Sequence, residues 1–116
     1  MKYEAMHPIS RAEAERMAAS GDANAICRAI ISLALFDDDW RWVQDWCLQL
    51  AADERPRVRG CAATSLGHLA RINGVLDLDR VIPVLEELTD DHEVGGLAED
   101  ALADIHMFIG KPRSED

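Results

Sequence analysis

Three stretches of the chain carry the same apolar register at a spacing of 36 residues. Ala25, Ile26, Ala29, Ile30, Leu33 and Phe36 recur as Cys61, Ala62, Ser65, Leu66, Leu69 and Ile72, and again as Leu97, Ala98, Ala101, Leu102, Ile105 and Phe108. Offsets of this kind place each set on one face of a helix. A unit that buries only one face cannot stand alone, so three copies in register predict units stacked side by side. The expected fold is therefore all-α: a short α-solenoid of three helical hairpins, about six helices in a single domain over residues 1–116.

Local signals set the boundaries, with hairpins expected at about residues 10–35, 39–73 and 77–109. Ser10 followed by Glu13 is a capping-box pattern opening the first helix. Asp22 suits the cap of the second, and Asp38 or Asp39 that of a third running from Trp40 to about Ala52. Pro56 is placed as the first residue of the fourth helix, where its missing N–H costs nothing, and Asn73-Gly74 stops that helix. A fifth helix follows Asp77 and should kink or break at Pro83. Asp90 or Asp91 is expected to cap the sixth, which reaches about Ile109. The intervening helices align less cleanly, and the first hairpin is atypical, as a terminal capping repeat should be.

Composition excludes several classes of function. Twenty-two acidic residues face twelve Lys and Arg, for a net charge of −10, so direct binding of nucleic acid is not expected. No apolar run approaches the roughly 20 residues of a membrane span. The N-terminal MKYEAMHPIS lacks the apolar core of a secretory leader, which makes the cytoplasm the expected compartment. Cys27, Cys47 and Cys61 fall within apolar helical patterns without CxxC spacing, and are expected to be buried reduced thiols rather than a disulfide or metal ligands.

The stretch Asp53–Ala70 joins an acidic turn, Pro56, Val58-Arg59, Ala62-Ala63 and Leu66-Gly67. In that order the residues resemble the HEAT repeat and the related phycobilisome-lyase-type repeat. Residues 90–105 look like a second copy, with Val94, Ala98, Ala101 and Leu102 in place but His92 and Gly95 where Pro and Arg stand in the pattern. The resemblance covers about residues 22–109 and implies architecture. Within it, Arg57 and Arg59 are expected to flank the buried stripe and face outward.

No catalytic constellation is legible. His7, His68, His92 and His106 lack metal-ligand spacing, and no phosphate loop or nucleophile elbow occurs, so no cofactor and no metal are expected. Helix capping accounts for one Asp per turn. It does not account for Asp37, Asp38 and Asp39 together, nor for the absence of Lys and Arg from Val81 to Gly110, where Asp90, Asp91, Glu93, Glu99, Asp100 and Asp104 fall. A field of one sign either solubilises the chain or steers a basic partner. Trp40 and Trp46 read as core, while Trp42 is expected to be exposed beside the acidic turn as an interface anchor. Gly60, Ala63 and Gly67, with Gly96, Glu99 and Ala103, are expected to form a shallow accessible surface opposite the stripe.

Together these features point to a non-catalytic protein-binding module. The chain also resembles small bacterial helical-repeat immunity proteins of contact-dependent growth inhibition systems. That resemblance implies an inhibitor of a basic toxin domain, commonly a nuclease, bound through Asp37, Asp38, Asp39, Trp42, Asp90, Asp91, Glu93, Glu99, Asp100 and Asp104. The alternative is a scaffold or regulatory subunit of a housekeeping complex. Bilin handling lacks a nucleophile or acid constellation, and action on DNA bases conflicts with the charge.

Overall fold

The structure is a computed structural model that describes residues 6–109; the first five residues, part of the stretch from which the absence of a leader was inferred, lie outside them. Six helices and no strands occur among the described residues: α1 Arg11–Ala19, α2 Ala23–Phe36, α3 Trp40–Leu50, α4 Pro56–Asn73, α5 Leu78–Leu88 and α6 Gly95–Phe108. Their ends follow the local chemistry. Ser10 Oγ accepts from the Glu13 N–H at 3.0 Å, and Asp22 accepts from Ala25 N–H at 2.9 Å. Gly74 ends α4 at φ +69°, a conformation that disfavours any side chain bearing a Cβ.

α5 runs through Pro83 without a break, so that of the two expected outcomes, a kink or a break, the break does not occur. Pro83 and Asp79, whose carbonyl loses its donor, are four residues apart on one exposed face, where water can replace the missing bond. α6 starts later than expected, at Gly95. Asp91 nevertheless caps the turn before it, accepting from Glu93 N–H at 2.8 Å and Val94 N–H at 3.2 Å.

α4 packs against both α2 and α6 more extensively than against its own hairpin partner α3. The layer α2–α4–α6 is thus the spine, with α1, α3 and α5 laid along it. Ile30, Leu33, Val43, Val58, Leu66, Leu69, Val81 and Leu85 form the fully enclosed core. Burying each of these stabilises the fold by about 1.5–3 kcal/mol before the entropy of ordering it is set against that gain.

The two ends of the repeated stripe do not share in that core. Phe36, Ile72 and Phe108 stand 44%, 51% and 44% exposed at the C-terminal ends of α2, α4 and α6, and Leu97 is 42% exposed. A helix face remains covered only as far as its neighbours extend, and the helix ends run past them.

Gly60, Ala63 and Gly67 are buried, correcting the expectation of an accessible small-residue surface. They form the flank that meets α6. A Cβ on Gly60 would lie 2.9 Å from Leu97 Cδ1, and one on Gly67 would lie 2.9 Å from Asp104 Oδ2 and 3.4 Å from Ala101 Cα. Their counterparts Gly96, Glu99 and Ala103 are exposed, since no helix among the described residues packs on that side of α6.

The other flank of α4 meets α2 where Cys27 and Cys61 are joined as a disulfide, with Cα atoms 5.6 Å apart. This corrects the expectation of three reduced thiols. Residues just under one repeat apart, 34 positions here, are brought side by side when the helices stack. Cys47 alone remains a free, buried thiol, and burial raises its pKa.

Two adjacent glycines at the start of α6 give opposite predictions. A Cβ at Gly95 would lie 2.6 Å from the Thr89 carbonyl oxygen, whereas one at Gly96 meets nothing within 4 Å. Gly95→Ala is expected to destabilise the chain by about 1–3 kcal/mol and Gly96→Ala to stabilise it by about 0.5 kcal/mol, both read from urea midpoints. Cys61→Ser is expected to cost about 2–4 kcal/mol. A reductant should impose the same loss on the parent chain and none on the variant.

Candidate functional site

Seven of the ten residues singled out from the sequence fall at the two turn-bearing ends of the helices, and three on α6 between them. Turns inside the hairpins lie together at one end, where Arg55 Nη1 donates to the Gly21 carbonyl at 2.8 Å and Arg59 Nη2 pairs with Asp91 Oδ2 at 2.9 Å. Turns between hairpins lie at the other, where Arg41 pairs with Asp77 at 3.5 Å. Asp90, Asp91 and Glu93 belong to the first end; Asp37, Asp38, Asp39 and Trp42 belong to the second. Glu99, Asp100 and Asp104 project from α6 between them.

Several of these carboxylates are occupied within the fold. Asp37 Oδ1 and Asp39 Oδ2 pair with Arg11 at 3.3 and 3.1 Å, and Asp39 Oδ1 accepts from Trp42 N–H at 3.2 Å. That backbone bond and the Arg11 guanidinium hold the Asp39 carboxyl below its ordinary range. Arg11 also lies 4.1 Å over the Trp42 ring, which in turn meets Trp46 with centroids 5.4 Å apart. Trp42 is consequently half-buried against the core rather than exposed. Its place under Arg11 joins α1 to α3 and leaves only an edge for a partner.

Asp91 is similarly engaged. Backbone bonds from Glu93 and Val94 and the nearby Arg59 lower its pKa. Arg59, expected to face outward, turns inward with only 17% of its side chain exposed, and donates to the Asp53 and Glu54 carbonyls at 3.1 and 2.9 Å. Its guanidinium thereby ties the second hairpin's turn to the third's. At the opposite end the buried Gln44 does comparable work. It accepts from Asp77 N–H at 2.7 Å and donates to Asp77 Oδ2 at 2.9 Å, and this bond to the carboxylate is the first cause of the lowered Asp77 pKa.

What remains free is concentrated in the third hairpin. Asp79, Glu86, Glu87, Asp90, Glu93, Glu99 and Asp100 are exposed and have no ion-pair partner among the described residues. Cations without an ion pair among the described residues, Arg16, Arg28, Arg57 and Arg71, are exposed on α1, α2 and α4. The array is thus electrically polarised along its length. Asp104 is half-buried beside Gly67, and its negative charge faces His68, whose pKa burial and Arg71 lower. Both Arg71 terminal nitrogens reach His68 Nδ1, at 3.3 and 3.0 Å, as donors to a neutral ring. No group of three or more potential metal ligands occurs among the described residues. No helix among them is long and apolar enough to cross a membrane.

A family model for HEAT repeats matches residues 13–103. Among solved structures, the chain is similar to one in the crystal structure of a CDI complex from Cupriavidus taiwanensis LMG 19424. The two are 35% identical over 93% of this chain and 96% of that one, with a TM-score of 0.83. No curated protein is matched.

Asp39, Asp53, Asp77 and Asp91 all have pKa values below the ordinary carboxylate range. A carboxylate whose pKa falls on folding stabilises above its unfolded value of about 4, and that contribution is lost as pH drops through the lowered value. The urea midpoint of the parent chain is therefore expected to fall steadily below about pH 4. Asp91→Asn should lower the midpoint at pH 7 and reduce its further decline in acid.

Proposed function

The chain belongs to the HEAT-repeat family, and on that footing we propose that it is a non-catalytic immunity protein of a contact-dependent growth inhibition pair, binding and neutralising a cognate toxin domain. The observation that carries this reading is the 35% identity, sustained over nearly the whole chain, to a component of a CDI complex. Rigid stacked helices offer an extended binding surface and need no reactive group of their own. The polarised charge supports a basic partner, which a nuclease with a phosphate-binding cleft would be.

In this reading Asp90, Glu93, Glu99, Asp100 and Asp104 face the toxin. Asp38 and the exposed edge of Trp42 make any second contact, while Asp37, Asp39 and Asp91 hold the turns that present them. The site of action is the cytoplasm. There the glutathione pool would keep Cys27 and Cys61 reduced, so inhibition has to work on packing alone.

The deciding experiment is capture of the tagged chain's partner from its host, followed by co-expression of that partner in a sensitive strain. A stoichiometric toxin domain whose activity and growth arrest disappear on binding upholds the proposal. A housekeeping assembly with no activity suppressed would make the chain a scaffold. With the toxin in hand, Asp100→Asn and Asp104→Asn together should slow association and flatten its dependence on salt. An unchanged rate and salt slope would remove α6 from the contact.

A further inference from the structure

α6 repeats α4 position by position, but nothing among the described residues packs on its far side. Gly60, Ala63, Gly67 and Ala70 are buried; their counterparts Gly96, Glu99, Ala103 and His106 are exposed. Two of the four have become polar, which suits a face in water. The neighbouring groove between α5 and α6 has not followed. A cleft of about 570 Å³ there is floored by Leu78, Ile82, Leu102 and Ile105. Leu102 is half-exposed, while Leu66, its counterpart in α4, is fully buried. A purely solubilising face would not leave Leu78, Ile82 and Leu102 part-exposed together.

The rim of the cleft bears Asp79 and Glu86, with His106 opposite. Neither carboxylate is ion-paired among the described residues, and no Lys or Arg occurs between Val81 and Gly110. We propose that this groove, the place where the next helix of the array would lie, seats an amphipathic helix of the partner protein. That helix presents apolar side chains at i, i+3 and i+4 flanked by Lys or Arg. The inference rests on the inhibitor reading for the identity of the partner. Charge complementarity selects the occupant: a second copy would bring another −10 chain and its own acidic hairpin against Asp79 and Glu86.

The test titrates a synthetic Leu/Lys amphipathic helix, and a Leu/Glu helix of the same pattern, into the ¹⁵N-labelled full chain. The Leu/Lys peptide is expected to shift the amides of Ile82, Leu102 and His106, and the Leu/Glu peptide to leave them in place. Glu86→Lys should weaken binding by about tenfold, against less than about twofold for Glu15→Lys, the same charge change on α1. Leu102→Ser should weaken it too. If that variant does not fold, Glu86→Lys still decides, because a cation in the last turn of α5 suits the helix dipole.

Shifts centred on other residues, or equal losses from Glu86→Lys and Glu15→Lys, overturn the groove. So does a dimer of the chain alone that Leu102→Ser dissolves in sedimentation, since the occupant would then be a second copy. A toxin neutralised equally well by the parent, Glu86→Lys and Leu102→Ser chains overturns the groove while the inhibitor reading stands. A groove that takes the Leu/Lys helix in a chain that neutralises no toxin upholds the groove and sinks that reading.

Discussion

The closeness of α4 to its two neighbours is the constraint on which the rest of the molecule depends. Helices come within such range only where side chains are small. α4 meets one neighbour through Cys61 and the other through Gly60, Ala63 and Gly67. With the spine set at that spacing, the apolar stripes of all three hairpins merge into one core, and α1, α3 and α5 need only cover it. A methyl group too many on this seam acts on more than its own site, because interiors this dense transmit displacement.

Polar and charged side chains then fix the register of the stack from its two ends. Arg55 and Arg59 tie together the turns inside the hairpins, while Gln44, Arg41 and Asp77 tie those between them. Ion pairs at this level of exposure contribute little stability singly. Their effect here is geometric: each spans two hairpins and holds a helix start in place. Of the exposed acidic residues that form no ion pair among the described residues, the larger share lies in the third hairpin.

Much of this was legible in the sequence. The 36-residue register gave the hairpin stack, and Ser10, Asp22, Pro56 and Gly74 marked helix ends through chemistry that acts within a few residues. Whatever depends on a residue distant in sequence was not legible. Trp42 looked exposed because Arg11, which covers it, belongs to another helix. Asp37, Asp39 and Asp91 looked free for the same reason. A single buried stripe also underestimates a central helix, which is covered on both flanks; the buried glycine row and the Cys27–Cys61 bridge both lie on those flanks. The absence of Lys and Arg from Val81 to Gly110 was visible from the start, but not the open groove beside it, since that depends on how α5 packs against α6.

The Cys27–Cys61 bridge links only the first two hairpins. The third is held by packing and by contacts such as Arg59–Asp91 and Gln44–Asp77, all of them breakable without covalent change. Stability in a stacked array is a sum of neighbour terms, so opening begins at the end with fewest of them. Amide hydrogens of α5 and α6 will accordingly exchange through fluctuations that leave α2 and α4 protected. The oxidised chain is thus a clamped base carrying a more yielding tip, and the negative charge sits on the tip.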